Sequence, residues 1–246
     1  MKVIGCLGRK GGSGKTMTAH LLAHGLAKAY GVYTNLVMTD VREDMPLNIS
    51  PYRDYYISAI SNKDAQTDSA ELDRIFTQTA RNPDSILIID GGANRANVDR
   101  AFARFCDMVM IPVGYGKEDI QVAQSDFWNI VRAMKDANTR ADVCIIRNRW
   151  PGAGRERDRV MAKPWVRDFL EKSEMVPMLF PDFIPDMPSL LDMANSDNPK
   201  TTPLIDAVSA RFAEVVAKKT GFELPPRRKL VPYPHLSRLH GEEAAA

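Results

Sequence analysis

Five short runs of nearly unbroken apolar residues constrain the fold of this chain more than any other feature. They lie at residues 2–8, 34–39, 85–90, 107–113 and 142–147, with a weaker sixth at 176–180. A strand with one face in water alternates apolar and polar residues. A strand covered on both faces does not, and Ile86-Leu87-Ile88-Ile89 is of that second kind. Between the runs, apolar residues recur at helical spacing over residues 15–30, 69–81, 96–105, 117–137 and 157–172. They do so again over 203–220, where Leu204, Val208, Phe212, Val215 and Val216 share one side. This alternation predicts right-handed crossovers and an α/β fold: a doubly wound, mostly parallel sheet flanked by helices. Residues 42–63, with Pro46 and Pro51, predict an irregular loop over a site. Residues 180–203, rich in Pro and Asp, predict loops around a short helix at 189–194. From Pro225 the chain carries four prolines in ten residues, which predicts one domain at 1–224 and an extended or disordered basic tail at 225–246.

Composition narrows the function classes. Of 246 residues, 44% are hydrophobic and 26% charged, the balance of a soluble globular chain. The formal charge of +2 excludes a histone-like coat for DNA and leaves room for a local basic patch. No run approaches the roughly 18 apolar residues of a membrane span. The first eight residues are interrupted too soon, by Arg9-Lys10, to read as a signal peptide. Cys6, Cys106 and Cys144 are far apart and odd in number, which predicts buried thiols in a reducing cytoplasm.

The first run leads into Arg9-Lys10-Gly11-Gly12-Ser13-Gly14-Lys15-Thr16, and a helix pattern follows at once. Glycines let a backbone curl until successive N–H groups point inward, and a polyphosphate fits that nest at the positive end of a helix. Lys15 would reach the β- and γ-phosphates, and Thr16 would offer its hydroxyl to Mg²⁺. The strict phosphate-loop pattern fails, because Arg9 stands at its first glycine.

The form that fits, Lys10-Gly-Gly-x-Gly-Lys-Thr, resembles the ParA/MinD family of deviant Walker A P-loop ATPases, over about residues 1–220. The resemblance implies ATP and Mg²⁺ as cofactors, with Lys10 to Met17 as the phosphate site. It gives Lys10 a role across a dimer interface, beside catalytic Lys15 and Asp40. Asp90, ending Ile86-Leu87-Ile88-Ile89-Asp90, matches the family's Walker B. Asp40 matches the first switch I Asp, and both would meet Mg²⁺ through water. Arg42 stands where relatives carry the second switch I Asp, which implies slow hydrolysis. Met17 replaces a usual Thr, so only its backbone N–H would serve the α-phosphate. Asn148 would read the adenine edge, although a turn role suits it equally, and the loop at Pro185 would pack on the base. Residues 94–99 match switch II. His20 and His24, four apart on the first helix, lack a third ligand and read as structural.

The resemblance further implies a homodimer with ATP, non-specific DNA binding, and a small DNA-binding adaptor or transfer protein as partner. Cargo would be a plasmid, a chromosomal locus or a conjugative complex. A nucleotide-dependent scaffold with little hydrolysis is the alternative. The tail prolines oppose a lipid-binding amphipathic helix, so no membrane partner is expected. Residues 147–167 hold seven basic and two acidic side chains, a net +5 against −3 for the remainder. Arg155, Arg157, Arg159 and Lys163 are therefore the DNA candidates, with Trp150 and Trp165 beside them. A solvated helix face with i, i+4 ion pairs explains the same residues.

Overall fold

The computed structural model describes residues 1–39, 53–60, 65–92, 96–172, 176–196 and 201–228. Its strands are β1 (Lys2–Cys6), β2 (Thr34–Met38), β3 (Tyr56–Ala59), β4 (Ile86–Asp90), β5 (Met108–Val113), β6 (Asp142–Trp150) and β7 (Leu179–Pro185). The helices are α1 (Lys15–His24), α2 (Ala65–Ala80), α3 (Ala96–Ala103), α4 (Lys117–Asp136), α5 (Gly154–Met161), α6 (Pro164–Glu171), α7 (Pro188–Asn195) and α8 (Pro203–Thr220). The strands form one sheet in the order β3-β2-β4-β1-β5-β6-β7, with every pairing parallel.

The five apolar runs are the five inner strands. Residues of β4 are buried throughout because helices cover both faces of the sheet. Alternate residues feed two cores. Ile4, Cys6, Ile86 and Ile88 belong to one cluster with residues of α1, α7 and α8, whereas Val3, Leu87 and Ile89 belong to another with residues of α2 to α6. Fully burying one such aliphatic side chain stabilises the fold by about 1.5–3 kcal/mol.

Three expectations need correction. The stretch 42–63 contains an edge strand, β3, where a loop was expected, and its residues 42–52 and 61–63 lie outside the described ones. The sixth strand runs Leu179–Pro185, later than 176–180, behind a 3₁₀ turn at Val176–Met178. The helix expected over 157–172 is two helices, because Pro164 has no N–H to continue α5 and instead opens α6.

Helix α1 runs on into a π-helical turn, Gly25–Ala29. His24 and Lys28 on this stretch share Asp206 of α8, at 2.7 and 3.0 Å, and tie the two helices together. His20 contacts the Tyr55 hydroxyl at 2.7 Å, and burial, then the charge of Arg53, drives its pKa down to about 3. The two histidines thus have separate partners. Residues 222–228 continue without helix or strand, and the Arg228 N–H donates to the Ala29 carbonyl at 2.7 Å.

Candidate functional site

β1 is the centre of the sheet, with β4 on one side and β5 on the other, so the chain changes direction there. Open parallel sheets bind ligands at such a point, beyond the carboxyl ends of the strands. The glycine-rich loop sits there, between Cys6 and α1. Gly14 precedes α1 with φ 94°, a left-handed conformation, and caps the helix without a side chain. A Cβ on Gly14 would fall 1.8 Å from Asn148 Nδ2, so glycine is required for both conformation and space. The first N–H groups of a helix lack intrahelical acceptors and carry the positive end of its dipole.

Lys15 is buried, 6% exposed, and its Nζ donates to the Lys10 carbonyl at 3.0 Å. Gly11 and Gly12 are exposed, Ser13 is buried and Thr16 is half-buried at the start of α1. Met17 is buried in the core against the sheet, which explains an apolar residue at that place. Lys10 reaches α4: its Nζ lies 2.8 Å from Glu118 Oε1 and 3.5 Å from Asp119 Oδ1. The hydrogen bond from Lys10 holds the Glu118 carboxyl below the usual glutamate range, and the same bond raises Lys10.

Asp90 is buried at the end of β4. The loop after it is stitched to both neighbouring strands. Gly91 N–H donates to the Cys6 carbonyl at 2.9 Å, the Thr39 hydroxyl donates to the Asp90 carbonyl at 2.8 Å, and Gly92 N–H donates to that hydroxyl at 3.2 Å. Burial, then the nearby Asp90 charge, pushes the Cys6 thiol well up, while Lys15 opposes the shift. Asp90 is paired with Cys6 at the end of β1, where the chain enters the loop. Asp40, Arg42 and Asn94 lie outside the described residues.

Four residues that sequence reasoning missed, or gave another role, hold the loop. Asp99 of α3 accepts from Gly8 N–H at 3.0 Å. Asp126 of α4 accepts from Arg9 N–H at 2.9 Å and Arg9 Nε at 2.5 Å, and Arg9 Nη2 donates to Ser125 Oγ at 2.8 Å. The arginine that breaks the loop pattern is thus a bolt onto α4. Asn148 is wholly buried and its Nδ2 donates to the Ser13 carbonyl at 2.7 Å, so it props the loop. Next to it, Arg149 Nη2 donates to the Gly12 carbonyl at 2.5 Å. The one sequence signal for Asp126 was its place among Ala123, Phe127 and Ile130, the core-facing residues of α4. Pro185 ends β7 beside Trp150, and the Asp186 N–H donates to the Trp150 carbonyl at 3.2 Å. A cleft of about 210 Å³ lined by Gly8, Arg9, Asp99 and Asp126 opens between the loop and α3–α4.

The DNA candidates divide. Arg155, Arg157 and Arg159 are exposed on α5, and among the described residues no carboxylate lies within ion-pair range of them. Lys163 is half-buried, its Nζ 4.8 Å from the Tyr115 ring centre and 5.4 Å from that of Trp165. Both tryptophans are tied to backbone carbonyls through their ring N–H groups, and Trp165 is half-buried. Trp150 is 4% exposed and its Nε1 donates to the Val113 carbonyl, and Trp165 Nε1 donates to the Tyr115 carbonyl. Among the described residues no cluster of three metal-ligating side chains occurs, and no helix is long and apolar enough to cross a membrane.

No protein-family model matches this sequence, and no curated protein does. Solved structures do. MinD cell division protein from Aquifex aeolicus superposes with a TM-score of 0.63 at 18% identity, over 92% of this chain and 100% of that one. The chain has the fold of these MinD and ParA family ATPase structures. An ATP complex of a McdA variant from Cyanothece gives 0.57 at 18% identity, over 94% and 99% of the two chains. A putative plasmid partition protein from Borrelia burgdorferi bound to AMPPNP gives 0.59 at 15%, over 89% and 99%.

Proposed function

We propose that this chain is a ParA-like ATPase that uses ATP-dependent dimerisation as a switch for positioning or segregating DNA cargo. The observation that carries this reading is the loop itself: left-handed Gly14 at the head of α1, buried Lys15, and Asp90 paired with Cys6 at the centre of a parallel sheet. That donor set fits a magnesium nucleoside triphosphate. Mg²⁺ neutralises phosphate charge when bound; Thr16 would hold it directly, and Asp90 and Asp40 through water. Lys15 leaves the Lys10 carbonyl for the phosphates, and Lys10 leaves Glu118 to complete the partner's site. The adenine edge is assigned to Asn148 and Pro185. Asn148 Oδ1 is buried without a hydrogen-bond partner among the described residues, which leaves an acceptor for the exocyclic amine of adenine while Nδ2 stays on the loop.

Arg155, Arg157 and Arg159 form the DNA contact, with Lys163 held behind them. The domain spans 1–224, and the protein is cytoplasmic. A small DNA-binding adaptor or transfer protein is the partner, for partition or for conjugative transfer. Equilibrium binding of MgATP to wild type and Lys15→Ala tests the core of this reading, and equal affinity would overturn it. Replacing the three arginines by Ala should lower DNA affinity and flatten its salt slope. The second reading, a scaffold with little turnover, rests on Arg42. Single-turnover hydrolysis with Arg42→Asp as comparator separates the two: wild type as fast as the variant removes the scaffold.

A further inference from the structure

We infer that Asn148 and Arg149 are positioning residues that aim the N–H groups of the phosphate loop by holding two successive carbonyls. The inference rests on the nucleotide-site reading above. In a trans peptide the C=O of one residue and the N–H of the next point in opposite directions. Asn148 Nδ2 holds the Ser13 carbonyl and Arg149 Nη2 holds the Gly12 carbonyl. The N–H groups of Gly14 and Ser13 must then face away from β6, into the concavity ahead of α1. Freed carbonyls would turn lone pairs toward the same space and repel phosphate oxygens.

The backbone of β6 is bent for this purpose. Adjacent residues of a regular strand point to opposite faces of a sheet, so both could not reach one loop. Here the register with β7 slips between Asn148 and Trp150. Arg149 takes φ 56°, the left-handed region that disfavours any residue with a Cβ. A bulge of this kind re-aims a side chain, commonly beside a site. Glycine would take the conformation without strain, yet the position holds an arginine whose guanidinium ends on the loop. The donors arrive from 135 and 137 residues away in sequence, so the loop's shape is imposed by the sheet and not by its own glycines alone.

The test compares wild type with Arg149→Ala, Arg149→Gly and Arg149→Lys. MgATP and AMP are titrated by calorimetry, and thermal unfolding is followed without nucleotide. Losing one charge-assisted hydrogen bond should weaken MgATP by about tenfold in the Ala and Gly variants. AMP, with one phosphate, should change by less than about threefold, and Lys, which keeps a donor, should stay within about threefold of wild type for MgATP. Arg149→Gly should unfold at or above the wild-type temperature, since it removes the strain along with the contact. The inference is overturned if Ala and Gly bind MgATP as wild type does, if AMP weakens equally, if Lys falls as far as Ala, or if Gly unfolds markedly lower. Wild type that fails to bind MgATP would instead overturn the nucleotide reading itself.

Discussion

Asp126→Ala should destabilise the protein by about 2–3 kcal/mol, although the residue is far from the loop in sequence. The Asp126 side chain is 6% exposed and its two oxygens accept from Arg9 N–H at 2.9 Å and Arg9 Nε at 2.5 Å. A hydrogen bond to a charged group contributes about 1.5–3 kcal/mol when it is shielded, which describes the backbone contact. The Arg9 side chain is 39% exposed, so its ion pair is screened and adds about 1 kcal/mol at most. Asp126→Asn keeps an acceptor for the backbone N–H and loses the charge, so it should cost about 1 kcal/mol. For a chain of this length each kcal/mol lowers the unfolding midpoint by about 2–4 °C, giving about 5–10 °C for Ala. Thermal and urea unfolding of the two variants against wild type measure this. An Ala variant within about 0.5 kcal/mol of wild type, or an Asn variant as damaging as Ala, would refute the view that Asp126 anchors the loop.

Gly14→Ala should abolish nucleotide binding while the sheet still folds, because its Cβ would overlap Asn148 and its φ is left-handed. Adding Asn148→Ala relieves the overlap only, so calorimetry on the double variant should recover little affinity. Glu118 should titrate below an ordinary glutamate, since Lys10 hydrogen-bonds its charged form. The contact contributes above the unfolded pKa of Glu118 and is lost as pH falls through the lowered folded value. Carboxyl NMR reads this directly, and an ordinary or raised value would deny the contact. Asp206 behaves alike: burial raises it, but hydrogen bonds from His24 and Lys28 prevail and leave it lowered. Its contribution is present above the unfolded pKa and disappears as pH falls through the folded one. Wild type should therefore lose more stability on acidification than Asp206→Asn in urea melts. Parallel acid limbs would contradict that.

The inner strands were legible because burial on both faces demands unbroken apolar runs, as in Ile86-Leu87-Ile88-Ile89. The edges were not. β3 has only Ile57 buried and no such run, and β7 is interrupted by Pro181 and Asp182. Pro164 was a visible breaker inside an amphipathic pattern, and the pattern was wrongly extended through it. At the site, the loop and Lys15 were legible because glycine spacing is a local requirement of the turn and of the start of α1. The contacts by which Arg9 and Asn148 hold the loop were not legible, because each depends on a partner more than 100 residues distant.

By itself the sequence determined where a glycine-rich turn must form at the head of a helix and which segments must be buried strands. These follow from short-range rules: conformational freedom at glycine, a helix start, and the hydrophobic demand of a covered strand. The tertiary structure alone decided how that turn is held. Asp99, Asp126, Asn148 and Arg149 reach it only because β1 lies at the centre of the sheet, which places the ends of β4, β5 and β6 and the helices that follow them around one loop. No local rule pairs a backbone N–H at Arg9 with a carboxylate 117 residues later. The pairing follows from strand order, and the low dielectric of the buried site makes each such bond matter.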